Sequence, residues 1–99
     1  MTINKTFDNE MICLALEGRL DTSTAAQLQD VLIPALCEAV KVTIDFSKLV
    51  YVSSAGLRVL LTAQKTARVK GVYMKIKGVS EDIMEVFKMT GFSDILNIE

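Results

Sequence analysis

The chain has 99 residues, 51% of them apolar, a formal net charge of −1 and no histidine. That length supports one domain around a single core and excludes two, so residues 1–99 are read as one unit. The charge balance excludes a general attraction to nucleic acid or anionic membrane, and the missing histidine excludes Ser-His-Asp and Cys-His catalysis.

Thr2 to Phe7 reads as a first strand, reversed by the turn chemistry of Asp8-Asn9. Asp8 and Glu10 arrive before any apolar stretch, the wrong order for a secretory leader. No later apolar run approaches the ~18 residues of a membrane span, so a cytoplasmic protein is expected. Met11 to Leu16 is a second strand, apolar enough to suggest burial on both faces, and Gly18 and Asp21 end it. Leu28, Val31, Leu32, Ala35, Leu36 and Ala39 then recur at helical spacing. Thr24 with Gln27 fits a capping box at the start of this helix, and Pro34 predicts a kink or break near Ile33.

Val42, Ile44 and Phe46 alternate with polar residues and form a strand, followed by a loop from Ser47 to Ser53. Leu57, Leu60 and Leu61 mark one stripe of a second helix that runs to Gly71. Val72, Met74 and Ile76 make another alternating strand, ended by Gly78. Ser80 caps a third helix with Glu81 and Asp82 in its first turn, Ile83, Val86 and Phe87 facing inward and Gly91 as its stop. Ile95 to Ile98 closes the series as a short strand.

The order β-β-α-β-α-β-α-β predicts an α/β domain. Helical crossovers join parallel strands and the opening pair is a hairpin, giving a mixed, largely parallel sheet with the helices packed against it. Cys13 and Cys37 match no metal-ligand spacing and fall in apolar periodic segments, so both are read as reduced, buried, structural cysteines.

Charge is unevenly spread. Residues 1–45 carry seven acids against Lys5, Arg19 and Lys41, whereas Phe46 to Ser80 has no acid and seven bases. Such a run is either an ordinary solvated surface or a partner-facing one. A nucleic-acid role for the acid-free segment from Lys48 to Lys77 is disfavoured, because Tyr51 and Tyr73 are the only aromatics in it and no binding motif accompanies them. No Gly-x-Gly-x-x-Gly, Walker loop or nucleophile elbow is present, so neither a cofactor nor a catalytic residue is assigned.

The remaining feature is Tyr51-Val52-Ser53-Ser54-Ala55-Gly56-Leu57, which delivers two hydroxyls to the amino end of a helix. Unpaired N–H groups and the dipole make that end electropositive. Two readings stand: one serine simply caps the helix, or a serine there accepts a phosphate that the same N–H groups favour.

Ile44-Asp45-Phe46-Ser47 followed by Tyr51 to Leu61 resembles the signature of the STAS family, especially its anti-sigma factor antagonists. Gly18-Arg19-Leu20-Asp21 and Phe87 to Phe92 match as well, so the resemblance spans essentially the whole chain. It implies phosphorylation at Ser54, two positions before the glycine, with Ser53 standing where the family usually has aspartate. It also implies a partner-binding surface of Asp21, Ser53, Ser54, Ala55, Gly56 and Arg58. The implied mechanism is partner switching. The unmodified chain binds an anti-sigma factor that is a serine kinase of the histidine-kinase-like ATPase type, phosphorylation ends the binding, and a serine phosphatase restores it. The chain is then a kinase substrate and not an enzyme. Family members commonly add a helix after the final strand, for which a chain ending at Glu99 has little or no room. The competing reading keeps the fold as a scaffold or transport-associated module in which Ser54 is not modified.

Overall fold

A computed structural model describes residues Met1–Glu99. Strands β1 (Thr2–Asp8), β2 (Met11–Leu20), β3 (Lys41–Val52) and β4 (Tyr73–Lys77) form one sheet in that spatial order. β1 and β2 are an antiparallel hairpin, and β2, β3 and β4 are mutually parallel. Helices α1 (Ala25–Glu38), α2 (Ser54–Lys70) and α3 (Glu81–Thr90) fill the crossovers. The mixed α/β architecture is the one expected.

Period-two alternation decides which face is covered. Ile12, Leu14 and Leu16 of β2, Val42, Ile44 and Phe46 of β3, and Met74 and Ile76 of β4 are buried on one side. Leu28, Leu32, Ala35 and Leu36 of α1, Leu57, Leu60, Ala63 and Ala67 of α2, and Ile83 and Phe87 of α3 close over them. The Phe46 and Phe87 rings, 6.2 Å apart between centroids, tie α3 to the sheet. The opposite face carries Cys13, Ala15, Thr43, Asp45 and Lys75, all only half-buried. β2 is therefore covered on one face, not two: alanine and cysteine at its alternate positions imitate a doubly buried strand in composition while lining an open surface.

Several other expectations are corrected. Ser47 to Ser53 is not a loop, because β3 continues to Val52. The register against β2 shifts twice, between Ala15 and Glu17 and between Gly18 and Arg19, each time with one extra residue on β3. These bulges put Ser47 and Lys48 consecutively in solvent and return Leu49 and Val52 to the core. β2 likewise reaches Leu20. α1 runs unbroken through Pro34, which is exposed, as is Asp30, whose carbonyl has no helical donor because proline lacks the N–H. Thr24 makes no capping bond; its hydroxyl donates to Arg19 C=O (2.9 Å), and Gln27 Nε2 donates to Met1 C=O (2.9 Å). The closing strand shrinks to one parallel bridge, Ile76 with Ile98, preceded by a short 3-10 turn at Phe92–Asp94. Both cysteines are free, but Cys13 is half-buried and Cys37 exposed, so neither is a core residue. No helix is long and apolar enough to cross a membrane.

Candidate functional site

The carboxyl ends of β2 and β3 lie side by side, with Leu20 paired to Val52, and the two chains turn from there into α1 and α2. Ser53 N–H donates to Leu20 C=O (2.8 Å), which fixes the start of α2 against the end of β2. Gly56, buried one turn into the helix, makes this approach possible: a Cβ there would lie 2.6 Å from Leu20 Cγ and 3.2 Å from Leu20 O.

Ser53 is the N-cap, in extended conformation, and its Oγ accepts the Gly56 N–H at 3.4 Å, while Leu57 N–H donates to Ser53 C=O at 2.9 Å. Ser54 is the first helical residue and is exposed. The two serines thus divide the readings between them, one hydroxyl being used as a cap and the other presented to solvent. No acid occupies the first turn of α2, so the helix itself sets no negative charge against an anion arriving at Ser54. Arg58 is exposed one turn further along and makes no ion pair. Ala55 is half-buried, and Gly56 serves the site by packing, not by presenting a side chain.

Asp21 sits in the turn after β2, next to the residue that anchors α2. Its carboxylate accepts the Ser23 hydroxyl (2.7 Å) and the Ser23 N–H (3.0 Å), and these bonds hold its pKa below the usual carboxylate value. Asp21, Ser53, Ser54, Ala55, Gly56 and Arg58 are therefore grouped at one pole of the domain. Two residues that lie in the matching motifs but are given no role by the sequence join them. The Arg19 guanidinium lies 4.3 Å from the centroid of the Tyr51 ring, its register partner on β3, and its Nε is 3.8 Å from Asp21 Oδ2. The signal was present in the alternation: Leu20 and Val52 point inward, so Arg19 and Tyr51 share the outer face.

A mixed sheet covered on one face, with a hydroxyl raised at the start of the helix that follows its central strand, is the architecture of a partner-binding STAS module. The family model described as Mlab, STAS domain, matches residues 3–97, and the chain belongs to that family. It is 29% identical over 93 residues to an anti-sigma-B factor antagonist of Listeria monocytogenes, covering 93% of this chain and 82% of the relative. Among solved structures, an anti-sigma factor antagonist from Mycobacterium paratuberculosis superposes with a TM-score of 0.88 at 16% identity, covering 98% of this chain and 83% of that one. The Bacillus cell fate determinant SpoIIAA in its phosphorylated form superposes with a TM-score of 0.78 at 16% identity, covering 99% and 91%.

Proposed function

We propose that this chain is an anti-sigma factor antagonist whose partner binding is switched by phosphorylation of Ser54. The observation that carries this reading is the division of labour at the start of α2: Ser53 supplies the cap and Ser54 is exposed. A phosphate on Ser54 leaves the cap bond intact and meets free N–H groups, the positive end of the dipole and, at i+4, Arg58. The modification therefore changes the surface charge without unfolding the helix.

Loss of binding follows from where that charge goes. The partner is an anti-sigma factor of the histidine-kinase-like ATPase type, which must bring the Ser54 hydroxyl close to ATP. A phosphate already there is partly desolvated beside phosphates of like sign, whereas in the free domain it is solvated and favoured. Binding of the unmodified form releases a sigma factor, and a serine phosphatase resets the cycle in the cytoplasm. The relatives named as anti-sigma-B factor antagonists support the choice of partner class. The chain is a substrate of this cycle and not an enzyme.

A second reading has one observation in its favour: the matching family model is named for Mlab and not for an antagonist. On that reading the domain is a scaffold or transport-associated module in which Ser54 is never modified. Incubation with an anti-sigma factor kinase of the histidine-kinase-like ATPase type and ATP, followed by mass mapping, separates the two. Phosphate on Ser54, lost in Ser54→Ala and kept in Ser53→Ala, is the expected result; modification confined to Ser53, or none, sinks the proposal.

A further inference from the structure

Apart from Lys48 at the β3 bulge, the basic surplus between Phe46 and Ser80 divides between two faces of the domain. Arg58, Lys65, Arg68 and Lys70 are exposed on α2. Lys75 and Lys77 stand on β4 and join Lys41 of β3 on the sheet face that no helix covers. There the three lysines, with Thr6 and Thr43, line a shallow concavity of about 250 Å3. Thr6, Cys13, Thr43 and Lys75 form one row across all four strands, so sheet register holds the hydroxyls and the central ammonium in place.

The central lysine, Lys75, is already paired with a carboxylate of the same chain, which reaches it from a neighbouring hollow lined by Tyr73, Asn97 and Glu99. Lys75 Nζ bonds Glu99 Oε2, and the Lys75 side chain is only 18% exposed. The Glu99 carboxyl is held below its usual range first by that bond and the Lys75 charge, and further by Lys41 and Lys77. Its backbone is fastened by Glu99 N–H donating to Ile76 C=O (2.8 Å), while its side chain stays 61% exposed and free to swing away. One acid in the concavity opposes an incoming anion, Asp8. Asp45, beside Lys77, is turned to the Ser47 N–H (2.9 Å).

We propose that Lys41, Lys75 and Lys77, with the hydroxyls of Thr6 and Thr43, form a binding site for a small phosphorylated anion. Glu99 holds the Lys75 ammonium from the neighbouring hollow in the free protein and acts as a displaceable internal counter-ion. A single carboxylate uses one of three ammonium groups by direct bond, whereas a multiply charged phosphate reaches several and also accepts from the hydroxyls. The volume suits a pyrophosphate or a phosphorylated small metabolite, and falls short of the ~300–1,000 Å3 typical of pockets for drug-sized ligands. The site lies on the face opposite the helices and does not depend on the Ser54 reading.

Titration with inorganic pyrophosphate at ionic strength held constant with chloride, followed by calorimetry and backbone amide shifts, tests this. Saturable binding with shifts centred on Lys41, Thr43, Lys75 and Lys77 is expected. Glu99→Gln should tighten it and Lys75→Ala weaken it, each by about tenfold, the scale of one charge-assisted contact. Ser54→Ala should bind as the native chain does, which keeps this result separate from the switch. Lys41→Ala, at an only half-buried site, repeats the test if Lys75→Ala loses its fold by circular dichroism. Non-saturable binding, shifts centred on Lys65, Arg68 and Lys70, or an affinity indifferent to Glu99→Gln would overturn the proposal.

Discussion

Gly56→Ala should destabilise the domain although alanine is the better helix former. On propensity alone the change is worth about 1 kcal/mol in favour of the folded state. The added methyl, however, would lie 2.6 Å from Leu20 Cγ, 2.9 Å from Leu20 Cδ2 and 3.2 Å from Leu20 O. Leu20 is fully buried, and its carbonyl is held by the 2.8 Å bond from Ser53 N–H, so neither retreats without disturbing the start of α2. Overpacking of this kind costs about 1–3 kcal/mol, and the backbone contact places it at the upper end. The net loss is then about 1–2 kcal/mol, read from urea unfolding followed by circular dichroism. Leu20→Ala alone should cost about 2–5 kcal/mol through the cavity it leaves. In the double variant the new methyl enters that cavity, so the combined cost should fall short of the sum by about 1 kcal/mol or more. A stabilised Gly56→Ala, or strict additivity with Leu20→Ala, would refute the close approach that positions Ser54.

The two serines should separate in stability: Ser53→Ala loses the cap and about 0.5–1 kcal/mol, the lower range because the bond is 3.4 Å long, while Ser54→Ala stays within about 0.5 kcal/mol of the native chain by the same unfolding assay. Pro34→Ala restores the Asp30 carbonyl's helical partner at an exposed position, and should raise stability by about 1–2 kcal/mol in thermal or urea unfolding. The Asp45 carboxyl is held below its unfolded value of 3.8, chiefly by the Ser47 side-chain hydrogen bond. Its stabilisation is therefore full above pH ~4 and is lost as pH falls through the lowered folded value. A carbon-detected NMR titration should place its midpoint below 3.8, and Asp45→Asn should flatten stability in that acidic window; a midpoint at or above 3.8 contradicts the assignment.

Alternation and capping chemistry made most of the fold legible. Val42, Ile44 and Phe46 matched with Met74 and Ile76 define the buried face, and Ser80 caps α3 as its position promised, with its Oγ accepting Ile83 N–H at 3.2 Å. Gly71 and Gly91 end their helices at φ 72° and 79°, where a side chain would be strained. What was hidden depends on pairing across strands. The two polar residues Ser47 and Lys48 look like a loop to any reading by period two, because a bulge displaces the period by one and only the partner strand reveals it. Thr24 and Gln27 have capping-box spacing, yet the β2 turn and the amino terminus claim both side chains. Ser53 and Ser54 were indistinguishable as caps in one dimension; the extended backbone at Ser53 decides between them. The Arg19–Tyr51 stack and the lysine concavity likewise need the register between strands before their members become neighbours.

The central claim is that a charge on Ser54 abolishes partner binding without unfolding the domain. Its most direct test is the calorimetric dissociation constant for the cognate kinase, measured with the unmodified chain, the Ser54-phosphorylated chain and Ser54→Ala, with circular dichroism on each. An unpaired charge buried at the interface costs about 2–5 kcal/mol, so the phosphorylated form should bind about thirty- to several-thousandfold more weakly, while Ser54→Ala binds as tightly as the unmodified chain and all three remain folded. Equal affinity of the phosphorylated and unmodified forms, or a loss of binding that follows a loss of helical signal, would contradict it.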